Sequence, residues 1–216
     1  NQGGGRFLDI TQAAGVGYVG HSSGAVFFDY DGDGRLDLFV TNVGVYTGEE
    51  KGPGGYFVGL TDAFHGHTFP KRTEASLLYR NLGGNRFEDV SRTTGLVDTG
   101  WSGDATIIDA NDDGRPDVYV LNMQGANHLW LNQGGKRFTD ASRRYFPATP
   151  WGAMGVKVFD WNGDGRLDLF VTDMHSDMFA NVAPEAAGGE LPKAATANMA
   201  PAAFPGGKAG SVFGTA

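Results

Sequence analysis

An all-β fold assembled from repeated four-stranded units is predicted by three observations in this 216-residue sequence. An acidic nine-residue run occurs three times. An Asn-x-Gly-Gly element recurs in fixed phase with it. Short runs of β-branched and aromatic residues flank both elements, the composition of strands rather than helices.

The acidic run reads Asp-Tyr-Asp-Gly-Asp-Gly-Arg-Leu-Asp from Asp29 to Asp37 and recurs from Asp109 to Asp117 and from Asp160 to Asp168. Oxygen-bearing side chains stand at its positions 1, 3, 5 and 9. They are Asp29, Asp31, Asp33 and Asp37, then Asp109, Asn111, Asp113 and Asp117, then Asp160, Asn162, Asp164 and Asp168. So many carboxylates in one tight loop repel unless a cation sits among them. Calcium suits the set, because it takes roughly six to eight oxygen ligands in irregular geometry. Magnesium asks for stricter octahedral order, and zinc for His or Cys, which the loops lack. A metal-free acidic turn would account for one copy but poorly for three in one register. The glycine at position 6 (Gly34, Gly114, Gly165) allows a left-handed turn. Position 7 is expected to offer its backbone carbonyl, leaving the Arg35, Arg115 and Arg166 side chains in solvent. Three Ca²⁺ sites follow. The first is expected to bind most tightly, since Asp31 adds a charge where the others have asparagine.

The run begins like an EF-hand loop, but position 12 holds Val40, Val120 and Val171 instead of glutamate. Strand-like segments surround it: Ala25–Phe28, Thr106–Ile108 and Val156–Phe159 before, Leu36–Val40, Pro116–Val120 and Leu167–Val171 after. Each loop therefore joins two strands. The second element begins at Asn1, Asn81 and Asn132, 28 residues ahead of Asp29, Asp109 and Asp160. Its Gly-Gly pair predicts a hairpin, Leu77–Arg80 with Phe87–Val90 and His128–Leu131 with Phe138–Asp140. A period near 50 residues with four strands per unit indicates propeller blades. The predicted architecture is a β-propeller segment of about three blades with calcium loops, part of a larger propeller. Repeat 1 covers 1–80 with an insertion near 43–75. Repeat 2 covers 81–131. Repeat 3 covers 132–216, with an Ala/Gly/Pro-rich insertion near 174–210.

The motifs at 29–42, 78–91 and 171–178 resemble the FG-GAP or VCBS repeats of integrin α-chain propellers. They are similar above all to the ASPIC/UnbV-type secreted proteins, the cartilage acidic protein group. The resemblance extends over nearly all of 1–182. It implies a calcium-bearing propeller, a fold that serves adhesion, assembly and enzyme complexes alike.

Composition sets further bounds. A net charge of −8 argues against nucleic acid or anionic membrane as partner. No apolar run is long enough for a membrane span. Oxygen-only calcium loops fill best where calcium is near millimolar, so an extracytoplasmic setting is expected. Both ends cut the repeat at nearly the same phase, which implies three units within a longer protein, with subunits or further blades as neighbours. No nucleophile elbow, P-loop, zinc-protease or Cys-x-x-Cys motif is present, so no enzyme activity is expected. His65 and His67, with Tyr46, Tyr56, Phe57, Phe64 and Phe69, fit a partner-binding loop better than a second metal site. Trp101 and Trp151 fit blade packing better than a glycan platform. The leading function is a protein-interaction or assembly scaffold. Its alternatives are an accessory propeller of a larger secreted enzyme and a structural subunit of an envelope or filament assembly.

Overall fold

The computed structural model describes residues 1–63 and 71–174. His65, His67, Phe64, Phe69, the Ala/Gly/Pro-rich stretch beyond Met174 and the Ser211–Ala216 end lie outside the described residues.

Among the described residues, twelve strands and three one-turn helices follow in chain order. They are α1 Thr11–Ala14, β1 Ser22–Phe28, β2 Asp37–Asn42, β3 Thr47–Lys51, β4 Phe57–Gly59, β5 Leu77–Gly83, β6 Arg86–Asp89 and α2 Ser91–Thr94. The remainder are β7 Ser102–Ile108, β8 Asp117–Asn122, β9 His128–Gln133, β10 Arg137–Asp140, α3 Ser142–Tyr145, β11 Ala153–Phe159 and β12 Asp168–Asp173. Two antiparallel four-stranded sheets result, β1-β2-β5-β6 and β7-β8-β9-β10. Strands β11 and β12 repeat the first pair of such a sheet, and β3-β4 form a separate hairpin inside the first insertion. The expected unit is thus present: strand, acidic loop, strand, connection, strand, glycine hairpin, strand. The first strands of successive units lie side by side, β1 against β7 and β7 against β11. This layout is consistent with a propeller.

The middle sheet explains its own sequence. Every residue of β8 is buried. Val118 and Val120 face a core shared with Phe28, Phe39, Leu78 and Phe138 of and around the first sheet. Tyr119 and Leu121 face a second core with Leu129, Tyr145, Ala153 and Val156. A strand covered on both sides loses the apolar–polar alternation and reads as a continuous apolar run. Each such side chain contributes about 1.5–3 kcal/mol by leaving water.

Each one-turn helix begins on an Asp-x-Ser/Thr step. Asp9, Asp89 and Asp140 accept the backbone N–H of Thr11, Ser91 and Ser142. The Ser91 and Ser142 hydroxyls then accept the backbone N–H of Leu78 and Leu129, both at 2.9 Å. β1, β7 and β11 also share a bulge, at Ser23, Gly103 and Met154.

Two expectations need correction. The Asn1–Asp9 element forms only a Gly3↔Arg6 bridge, because among the described residues no further strand pairs with it, and a lone two-stranded ribbon is marginal. Trp101 is buried as expected, but Trp151 is 41% exposed.

The units dock through backbone as well as side chains. Gly135, in the β9–β10 hairpin, sits so close to the first acidic loop that a Cβ there would lie 3.0 Å from the Cα of Asp31. Its neighbour Gly134 has a similar positive φ but open space around it. Gly134→Ala should cost about 1–2 kcal/mol of left-handed strain. Gly135→Ala should cost about 1–3 kcal/mol more, through overpacking against the neighbouring unit. Urea melts of the two variants check this, and equal losses would show that the contact yields freely.

Candidate metal centre

The three acidic loops share one geometry. Positions 4 and 6 both have positive φ: Gly32, Asp112 and Gly163, then Gly34, Gly114 and Gly165. The sequence pointed to position 6 alone. Position 4 escaped notice because Asp112, one of the few side chains that enter the left-handed region readily, replaces glycine there. These turns aim successive N–H groups at the first carboxylate, forming a backbone nest. Asp29 accepts Gly32 N–H at 2.8 Å and Asp33 N–H at 3.1 Å on Oδ1, and Gly34 N–H at 2.8 Å on Oδ2. Asp160 repeats the set with Gly163, Asp164 and Gly165. Asp109 is held by Asp113 and Gly114.

Position 3 is Asp31, Asn111 or Asn162, whose Oδ1 accepts the N–H of position 5 at 3.3, 3.2 and 2.9 Å. Position 5 in turn accepts the N–H of position 7: Arg35 to Asp33, Arg115 to Asp113, Arg166 to Asp164. One oxygen each of Asp29, Asp31 and Asp37 lies within 4.8 Å of the others.

Position 9 joins the loop to the hairpin. Asp37 and Asp117 are fully buried. Asp37 accepts Tyr30 N–H at 3.1 Å on one oxygen and Asn81 N–H at 2.7 Å on the other. Asp117 accepts Ala110 N–H at 2.9 Å and Asn132 N–H at 2.7 Å. Asp168 accepts Trp161 N–H at 3.2 Å. Asn81 and Asn132, which the sequence marked only as turn residues, are therefore polar partners of the loops. The Asn132 amide also donates at 2.8 Å to the Tyr30 carbonyl of the preceding unit. Burial raises the pKa of Asp37, and raises that of Asp117 to about 6, against the opposing effect of their N–H partners. On the exposed loop, the Gly165 N–H lowers that of Asp160.

The residues fit a hard divalent cation. The donors are all oxygen, three of them converge in the first loop, and Asp37 and Asp117 at position 9 carry buried negative charge answered by neutral N–H groups in their hydrogen bonds. Arg35 and Arg115 are exposed as expected, and each also bonds within its own repeat. Arg35 Nε donates to the Asn81 carbonyl at 2.9 Å, and its guanidinium turns back to Asp33. Arg115 pairs with Asp113 at 2.9 Å. Both side chains keep the solvent-facing position expected of them, with a carboxylate two residues away within reach. The sequence also missed Arg80 of β5, whose Nε lies 2.8 Å from Asp31 Oδ2.

A family model described as the FG-GAP-like repeat matches residues 109–171, from the first aspartate of the second loop to the strand after the third. Residues 109–171 are an FG-GAP-like repeat. The repeat thus runs from loop to loop, and the same elements precede it between Asp29 and Asp89. Cartilage acidic protein 1 of Xenopus tropicalis is 30% identical over 103 residues, which is 46% of this chain and 16% of that protein. The chain therefore spans only a small share of that relative's length. No helix among the described residues is long and apolar enough to cross a membrane.

Proposed function

We propose that this chain is a calcium-stabilised β-propeller segment that serves as an extracytoplasmic protein-interaction or assembly scaffold. The observation that carries the calcium reading is the convergence of Asp29, Asp31 and Asp37 within 4.8 Å, on a loop whose backbone donors already hold the first carboxylate in place. Calcium would be held by positions 1, 3, 5 and 9 and by the carbonyl of position 7. It would offset the repulsion among these groups and fix both the β1–β2 type of turn and the hairpin bonded to position 9. The FG-GAP-like repeat supports the fold, and the calcium level such loops require supports the setting outside the cytoplasm.

Thermal melts in calcium and in chelator test the reading. Binding to the native state alone adds about 2.7 kcal/mol per site at a hundredfold excess over Kd. A large upward shift of Tm with calcium is expected, and coincident curves would overturn the calcium role. The scaffold role draws on the β3–β4 hairpin, which carries Tyr56, 80% exposed, and Phe57, 55% exposed, away from both cores. Tyr56→Ser with Phe57→Ser should leave Tm unchanged and lower the native mass of the assembled particle. An unchanged mass would remove the hairpin from the interface.

A further inference from the structure

The ligand positions of the first loop carry one more charge than those of the others, and the structure places a matching charge beside them. Arg80 Nε lies 2.8 Å from Asp31 Oδ2, and its Nη2 lies 3.6 Å from Asp33 Oδ2. Asp31 is well shielded, with 11% of its side chain exposed. Arg80 pairs with Glu88 across the hairpin, and the same register in the second sheet is occupied by Leu131, opposite Thr139. The second loop has Asn111 where the first has Asp31. The unit with the extra carboxylate is thus the unit with the extra guanidinium, while the second has a neutral amide and an apolar side chain.

We infer that Arg80 is a built-in counter-ion of the first loop, one that neutralises Asp31 and holds it in its ligating position whether or not a cation is bound. Asp31 has two oxygens to offer. Oδ1 accepts the Asp33 N–H from within the loop, while Oδ2 meets Arg80 at the loop's flank. Arg80 therefore need not leave when a cation enters. With Arg80 included, the ligand set of the first loop, four carboxylates and one guanidinium, carries the same net charge as the three ligand carboxylates of each other loop; Asp112 of the second loop stands outside its ligand positions. The tighter binding expected from Asp31 alone is cancelled, since affinity follows the charge count of the site. The inference rests on the calcium reading for its effect on affinity, and on geometry alone for its effect on the metal-free fold.

Two measurements on the complete chain separate these parts. The first is a double-mutant cycle of Arg80→Leu and Asp31→Asn, read by thermal melts in chelator. Arg80→Leu should lower Tm by about 2 °C, as expected for a partly exposed ion pair, and the double variant should recover most of that loss. Additive losses would overturn the counter-ion role. The second is a calcium titration followed by amide resonances, with Gly32 and Gly34 reporting the first loop and Gly114 and Gly165 serving as controls. Arg80→Leu should tighten the first loop about tenfold and leave the others unchanged, and the double variant should return to the wild-type value. Arg80→Gln, which keeps most of the stem, should move the same way. An unchanged or weakened first loop in a chain that binds calcium would overturn the inference. Failure of all three loops to bind in the wild type would instead remove the calcium reading, and the coupling seen in chelator would then stand as support for a permanent counter-ion.

Discussion

Replacing Asp98 by alanine should destabilise the fold by about 3–5 kcal/mol, the usual cost of removing one member of a buried ion pair. Asp98 lies between α2 and β7 with its side chain fully buried. Its Oδ2 takes His128 Nδ1 at 2.6 Å and Trp130 Nε1 at 3.1 Å. Its Oδ1 takes Gly100 N–H and the Ser102 hydroxyl, and its backbone carbonyl takes Ser76 N–H of the first unit at 2.8 Å. One carboxylate therefore fastens the connection between two sheets to strand β9. Without it, several donors are left buried without their acceptor. Urea melts of Asp98→Ala measure the effect, and a loss below about 1 kcal/mol would show that water replaces the carboxylate.

The same pair gives a pH dependence. The hydrogen bond that His128 donates to Asp98 raises the pKa of His128 from its ordinary 6.5, burial opposes the shift, and Asp140 adds to it. Burial would raise the pKa of Asp98, but the His128, Gly100 and Trp130 donors outweigh it and hold the value below 3.8. The stability from His128 is fully present below pH 6.5 and is lost as pH rises through its raised folded value. The stability from Asp98 is present above pH 3.8 and is lost as pH falls through its lowered value. The pair thus contributes most between these limits. The difference in stability between wild type and His128→Gln should shrink as pH rises from 6 toward 8. A constant difference would mean that His128 does not carry the charge.

The acidic loops and their strands were legible because their information is local: ligand spacing, a glycine, and the apolar run that follows. The same locality revealed the glycine hairpins at Asn81 and Asn132. The Asp98–His128–Trp130 joint was not legible, because its members stand 30 and 32 residues apart and no short pattern links them. Arg80 looked like an ordinary strand residue until the fold carried it to Asp31. The bulges at Ser23, Gly103 and Met154 leave no trace a period-two pattern would reveal, since each adds one residue to an otherwise regular strand. Position 2 of the acidic loop holds Tyr30, Ala110 or Trp161, so no repeated residue marked it.

That position is where the loop meets its neighbour, and Tyr30→Ala should cost about 3–5 kcal/mol, in the range for removing a large buried ring. Tyr30 is 5% exposed, with its ring 6.4 Å from Phe28 of its own unit and 6.1 Å from Phe138 of the next. Its carbonyl accepts the Asn132 amide from that same neighbour. Burial raises the phenol pKa to about 12, so the ring stays neutral at physiological pH. Tyr30→Phe, which keeps the packed ring, should stay within about 1.5 kcal/mol of wild type. The equivalent residue of the third loop, Trp161, is 50% exposed, and Trp161→Ala should cost less than Tyr30→Ala despite the larger ring removed. Hydrogen exchange adds the location: in Tyr30→Ala the Gly135 amide, which donates to Asn132 Oδ1 at 2.8 Å, should exchange faster. Tyr30 stands between Asp29 and Asp31, so loosening it should also weaken calcium at the first loop relative to the second. If Tyr30→Ala costs no more than Trp161→Ala, the first loop does not lock the two units together.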